Sequence, residues 1–363
     1  MTVDFEWLSE CAVLAWGGER GRIEKLAVPF PHSYAPKTND PRNYLVAFYR
    51  REGLRESDIR EIYCGSGRRG FLIPLQAIGS NSHDYAGNQH FAVYAGRVLE
   101  SICDDREWQS IRSAYLAGAS LEEEPVGLDE LIGSDVAAVC IYKPWMRDVE
   151  TIDGYGPSLM RRGLLPLDGA PDGFSWLASM PFDEGTKLQV RMSPLYMDMP
   201  VELRRIIYFT LPTQQDVVVQ FFLLYQIIEW FIKFFFEQVG KDFFLKIQDM
   251  PEPSVQQVRD FIKHVQDLSS EKNRLAKLFE ICNVDSRDRA DFTRSAGEFI
   301  RDCQERSEKT DLASRLYQVR NLVVHNSHGI SQKARMHLET ANECFFRICM
   351  DLCEEIDEHI AEK

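Results

Sequence analysis

Hydrophobic residues change their rhythm part-way along the chain. Up to about Pro212 they come in short runs, namely Ala12–Trp16, Tyr44–Tyr49, Phe71–Leu75, Phe91–Tyr94, Val136–Tyr142, Leu188–Met192 and Ile206–Leu211, rich in β-branched and aromatic residues and bounded by Gly, Pro, Asn or Asp. Such runs predict strands. Arg97–Leu116 instead puts Leu99, Ile102, Trp108, Ile111 and Tyr115 mainly on one side of a helix. Residues 1–212 therefore predict an α+β domain, with the Gly/Pro-punctuated stretch Gly154–Gly173 as an ordered loop or flap.

Beyond Thr213 glycine and proline thin out, and apolar residues recur every three or four positions. This period predicts helices over Asp216–Gln238, Ser254–Leu268, Ser270–Cys282, Ala290–Glu305, Asp311–Val324 and Gln332–Ile360. Val258, Phe261, Ile262 and Val265 give the second an apolar face, and Leu338, Ala341, Phe345, Ile348, Leu352 and Ile356 do so for the last. Thr310 reads as an N-cap with Asp311 in the first turn, and Gly329 with Ser331 as a stop and a new start. Residues 213–363 therefore predict an all-α domain.

The most apolar window, Val217–Phe236, is about long enough to span a bilayer. It holds Gln220, Gln226, Glu229 and Lys233, and ionisable side chains at mid-depth cost ~2.5–3.5 kcal/mol each. Glu229 and Lys233 also stand at i,i+4, the order that favours a solvent-facing pair. The window is therefore read as a core helix outside any membrane. Its aromatics exceed what one small bundle covers, which predicts contact with a second copy of the chain.

Composition narrows the class. The length of 363 residues suits two domains, and 44% hydrophobic with 27% charged residues is the balance of a soluble globular protein. A formal net charge of −14 argues against coating of DNA or an anionic membrane by bulk charge. Between Ser270 and Arg320, however, the charges nearly balance, so a local basic cleft stays open. The nine cysteines form no Cys-x2-Cys pair, and the start MTVDFEWLSE is acidic rather than a basic and apolar leader. Free thiols and a cytoplasmic location are expected.

The candidate chemistry lies in Leu316-Tyr-Gln-Val-Arg-Asn-Leu-Val-Val-His-Asn326, at the end of a predicted helix. At ~100° and ~1.5 Å per residue, Asn321 and His325 share a face, and Arg320 lies ~140° round and ~7.5 Å along from His325. The three can line one groove. Arg259 and His264 repeat the spacing, but in the middle of an amphipathic stretch, whereas Arg320 to His325 runs off a helix end into His-Asn-Ser-His-Gly. His328 reads as a solvated loop histidine.

Arg320-Asn-Leu-Val-Val-His325 resembles the Arg-polar-x3-His motif of the HEPN superfamily, small α-helical domains of RNA-cleaving toxins, CRISPR-associated ribonucleases and phage-defence proteins. The run LLYQIIEWFIKFFF (223–236) also resembles the opening helix of Apea-like HEPN domains, where a tyrosine and a glutamate sit in a similar apolar run. The resemblance covers residues 213–363. It implies an endoribonuclease acting on RNA as a homodimer, with Arg320 as phosphate and transition-state clamp, His325 as general acid/base and Asn321 as hydrogen-bonding support. No cofactor and no metal are implied, and the product would be a 2′,3′-cyclic phosphate. The family further implies a toxin or antiviral defence effector, with residues 1–212 sensing a phage or host trigger. The alternative is a catalytically inactive HEPN scaffold that binds nucleic acid or a protein partner. The same residues also allow a helix-end histidine near the dipole beside a surface salt-bridge arginine.

Other motifs carry less. Gly65-Ser-Gly-Arg-Arg-Gly70 has a Gly-x-Gly-x-x-Gly spacing, but the following Phe71-Leu-Ile-Pro74 predicts a strand where a dinucleotide fingerprint needs a helix, so a basic hairpin tip is expected. His83-Asp84 and His90 have no third ligand nearby. Cys344, Cys349 and Cys353, at helical spacing, read as small core residues.

Overall fold

A computed structural model describes residues 4–7, 11–17, 23–32, 40–104, 126–145, 151–167, 176–177, 180, 182, 185–248, 254–259, 270–282, 284–303, 310–326 and 329–361. The chain divides into two compact units, Met1–Met192 and Ser193–Lys363.

The first unit holds a three-stranded antiparallel sheet, β1 (Asp4–Trp7), β2 (Cys11–Gly17) and β3 (Ile23–Pro29), and a six-stranded mixed sheet. The larger sheet is built from β4 (Tyr44–Arg50), β5 (Arg60–Cys64), β6 (Gly67–Pro74), β7 (Val136–Tyr142), β8 (Leu165–Pro166) and β9 (Lys187–Gln189), in the order β8-β4-β7-β6-β5-β9. Among the described strands, only the β5–β9 pair is parallel. The unbroken apolar run of β7 follows from burial on both faces. Val136, Ala138 and Cys140 pack with Phe71 and Ile73 beneath a helix, while Ala137, Val139 and Ile141 face Leu72, Ile152 and Leu159. Gly70 is required where β6 meets β7, because a Cβ there would lie 1.9 Å from the Cys140 carbonyl oxygen. The expected hairpin at Gly65–Gly70 is present as β5–β6, and Arg68 at its tip is tied to Glu61 at 2.8 Å.

Two predicted strands are helical instead. Phe91–Tyr94 lies inside α1 (Gln89–Asp104), whose start is held by Asn88, with Oδ1 accepting from the backbone N–H of His90 at 2.9 Å and of Phe91 at 3.3 Å. Phe91, Ala95, Val98, Leu99 and Ile102 then bury one face on the sheet. Ile206–Leu211 lies in helical backbone, mostly the π-helical turn Ile206–Thr210, within the second unit. Ser193 already belongs there, since its hydroxyl donates to the Cys353 carbonyl and caps the helix Pro194–Asp198. The division of the chain thus falls about twenty residues before Pro212. Arg97–Leu116 is described only as far as Asp104, and residues 168–173 of the Gly/Pro stretch lie outside the described residues. Within that stretch Gly156–Met160 is a short buried helix.

The second unit is helical: α2 (Val217–Gln248), α3 (Glu271–Ile281), α4 (Ser286–Asp302), α5 (Leu312–Asn326) and α6 (Gln332–Ala361). Asp216 caps α2 by accepting from the N–H groups of Val218 and Val219. Phe221, Leu224, Tyr225, Ile228, Phe231 and Ile232 form its buried stripe. Val217–Glu237 has the length and apolarity of a membrane span, and half of that window is buried inside the bundle. Lys233 reaches forward to Glu237 at 3.9 Å rather than back to Glu229. α4 starts four residues before the expected Ala290, because the Asp285 carboxylate accepts from the N–H groups of Arg287 and Asp288. Leu338, Ala341, Phe345, Ile348 and Leu352 are buried along α6, as are Cys344, Cys349 and Cys353. Of Ser254–Leu268 only 254–259 is described, and there Val258 is exposed.

Candidate functional site

α5 carries the motif. Its cap is Asp311 rather than Thr310: Asp311 Oδ1 accepts from Ser314 N–H at 2.8 Å and its carbonyl from Arg315 N–H at 3.0 Å. Burial pushes the Asp311 carboxyl up, but hydrogen bonds from Ser314 outweigh it and hold the group below the usual range. Leu312, Leu316, Val319, Leu322 and Val323 bury the inner stripe against α2, α3 and α4. The helix runs two residues past the expected Val324, so His325 lies in its last turn, beside the partial negative charge of the C-terminal carbonyls.

Arg320 Nη1 donates to Asn321 Oδ1 at 3.1 Å, which joins two of the three motif side chains directly. The same guanidinium lies 6.0 Å from the ring centroid of Tyr225 on α2. The Tyr225 hydroxyl donates to Glu271 Oε1, at the start of α3, at 2.6 Å. His325 is exposed and, among the described residues, makes no hydrogen bond or ion pair. Of the second Arg-x4-His spacing, Arg259 is exposed on a helical turn, and His264 lies outside the described residues, as does His328.

Beside this cluster opens a groove of ≈ 500 Å³ lined by Glu229, Ile232, Lys233, Phe236 and Glu237 of α2 and Glu271 and Arg274 of α3. The Glu229 carboxyl is raised by desolvation and by the charge of Glu271, against which Arg320 pulls it down. Burial, then the bond to Glu271, raises the Tyr225 hydroxyl, again opposed by Arg320. Arg320 therefore sits in a partly desolvated pair of carboxylates without a direct salt bridge among the described residues. Tyr225 and Glu229 were visible in the apolar run of the opening helix. Glu271 and Arg274 were not, because only folding brings the first turn of α3 against α2.

In the first unit, His83 is buried with Nε2 3.0 Å from the Ala77 carbonyl and Nδ1 accepting from Tyr85 N–H, which occupies both ring nitrogens. No group of three metal-ligating side chains occurs among the described residues. No protein-family model matches the chain, and no curated protein or solved structure does so significantly.

Proposed function

We propose that the helical unit is a HEPN-like endoribonuclease that cuts RNA without a metal, as a homodimer in the cytoplasm, and that the first unit senses a phage or host trigger in antiviral defence. The observation that carries this reading is the hydrogen-bonded Arg320–Asn321 pair, set on the last turns of α5 against Tyr225 and one face from an exposed His325. In RNA cleavage the 2′-oxygen attacks the adjacent phosphorus, its proton passes to a base, and the departing 5′-oxygen takes a proton from an acid. A 2′,3′-cyclic phosphate remains. Imidazole suits both proton roles near neutral pH, and a guanidinium fork matches the charge gathering on the phosphate oxygens. One chain supplies one His325, so acid and base together require two chains across a two-fold axis. Val219 and Phe222, exposed on α2, are apolar surface of the kind such an interface covers.

The test is cleavage of labelled RNA by the full-length protein and by His325→Ala, with sizing of both. Cleavage to cyclic-phosphate ends that survives EDTA and disappears in His325→Ala supports the reading; equal cleavage by the two proteins overturns it. A second reading, an inactive HEPN scaffold, is favoured by Glu229 and Glu271, whose charges partly offset Arg320 where a phosphate would lie. RNA retained but uncut by the wild-type dimer would select that reading.

A further inference from the structure

Helix α5 has a second side, about 140° from Arg320 by the helical period, and the half-buried Arg315 stands there. It overlooks a groove of ≈ 560 Å³ formed with α4 and lined by Ser286, Arg289, Ala290, Thr293, Arg294, Gly297, Glu298, Arg301, Thr310 and Arg315. Four arginines thus meet one carboxylate among these residues. The floor is made by the small side chains of α4 at helical spacing, and Gly297 is the closest point: a Cβ there would lie 3.2 Å from Arg315 Nη1. The guanidinium therefore packs over Gly297.

The nearby carboxylates are engaged elsewhere. Glu298 takes His337 at 3.1 Å, and Asp302 takes Lys333 at 3.0 Å and His337 at 3.3 Å. Asp291 holds Arg294 at 2.6 Å, and Arg289 donates to the Phe279 carbonyl. Asp311 attracts Arg315 only at a distance, its oxygen being used to cap α5. Arg301 and Arg315 are left close enough to repel one another, with no ion-pair partner among the described residues, and Arg315 Nε is buried without a hydrogen bond. Two like-charged guanidinium groups lining one groove and repelling one another are an arrangement that a doubly charged oxyanion would complete.

We propose that the α4–α5 groove is a phosphate-binding site, in which Arg301 and Arg315 clamp the phosphate oxygens between Arg289 and Arg294. The groove has the volume of a nucleotide-sized pocket. Its ligand chemistry is the phosphate group, carried either by a free nucleotide or by the backbone of a nucleic acid. The site is separate from the motif and does not depend on RNA cleavage.

The test titrates the full-length protein with pyrophosphate, ATP and an uncleavable 2′-deoxy oligonucleotide, for wild type, Arg301→Gln and the double variant Arg301→Gln/Arg315→Gln. At least one probe binds wild type, and the double change weakens it about tenfold or more. Binding of pyrophosphate and ATP without the oligonucleotide identifies a nucleotide site; preference for the oligonucleotide, with a steep loss in salt, identifies a backbone site. Arg301 is exposed, so its single change leaves the fold intact and still weakens binding. No binding by any probe, or the same affinity in Arg301→Gln and the double variant as in wild type, overturns the proposal.

Discussion

The two grooves beside α5 differ in what their charges do. On the motif side, Glu229, Glu237 and Glu271 face Lys233 and Arg274, and Arg320 lies among carboxylates that partly balance it. On the other side, four arginines face Glu298, and that carboxylate is turned to His337. One groove mixes both signs of charge beside the motif, and the other carries mostly positive charge. With the proposed roles, the difference would separate chemistry from capture on one helix: a strong phosphate trap holds product as tightly as substrate, whereas a site that turns over has to bind the transition state in preference.

The comparison breaks first at His325. If the motif side does the chemistry, His325→Ala lowers the RNA cleavage rate by about 10²- to 10⁴-fold, the usual contribution of a general acid or base. Lys277→Gln, an exposed change on α3 beside Glu280, should leave the rate unaltered. Stopped-time assays with end-labelled RNA measure both. A loss confined to substrate affinity would move the chemistry away from His325.

The second contrast lies within α4. Asp288 faces the core and meets Arg347 Nε at 2.6 Å, with side-chain exposures of 8% and 14%, while Asp291, one turn on, pairs with Arg294 of the arginine groove. Asp288→Asn removes the charge that meets a largely buried guanidinium and should cost about 3–5 kcal/mol in urea unfolding. Asp291→Asn breaks an exposed pair and should cost about 1 kcal/mol or less. Similar costs for both would mean that the groove wall is as rigidly held as the core.

How much of this was legible in the chain depended on whether the signal was local. The α+β then all-α order, the β7 run and the stripe of α6 all follow from residues within one element, and the motif was visible as six consecutive residues. Phe91–Tyr94 and Ile206–Leu211 misled because β-branched and aromatic side chains suit a strand or a buried helix equally; Asn88, a cap visible in the sequence, was the clue that separates the two for the first. Asp285 was the matching clue for α4. The strands β8 and β9 are too short to show a period. Neither groove was legible as a whole, since Glu271 meets Tyr225, and Arg315 meets Gly297, across different helices.

A third prediction sharpens the motif side. Tyr225→Phe keeps the ring beneath Arg320 but removes the hydroxyl bonded to Glu271, a hydrogen bond to a charged group expected to be worth about 1.5–3 kcal/mol. Because the hydroxyl is raised above its usual value of 10.0, its share of stability is complete below that pH and is lost as pH rises beyond it. The wild-type advantage in unfolding should therefore shrink in strong alkali, and cleavage should fall far less than in His325→Ala.

The smallest effect discriminates most finely between the grooves. Glu229 is raised by desolvation and by Glu271, so its folded form binds a proton more tightly than the unfolded chain does. The ionised carboxylate then costs stability at neutral pH, and the cost disappears as pH falls through the ordinary carboxyl value of 4.5, where both states become protonated. Glu229→Gln should raise Tm by about 1–2 °C at pH 7, the scale of a surface change, and by nothing near pH 3. Thermal unfolding at both pH values measures it. A Tm gain that persists in acid would come from packing. No gain at neutral pH would show that Arg320 compensates Glu229 fully, leaving less of its own charge to meet a phosphate.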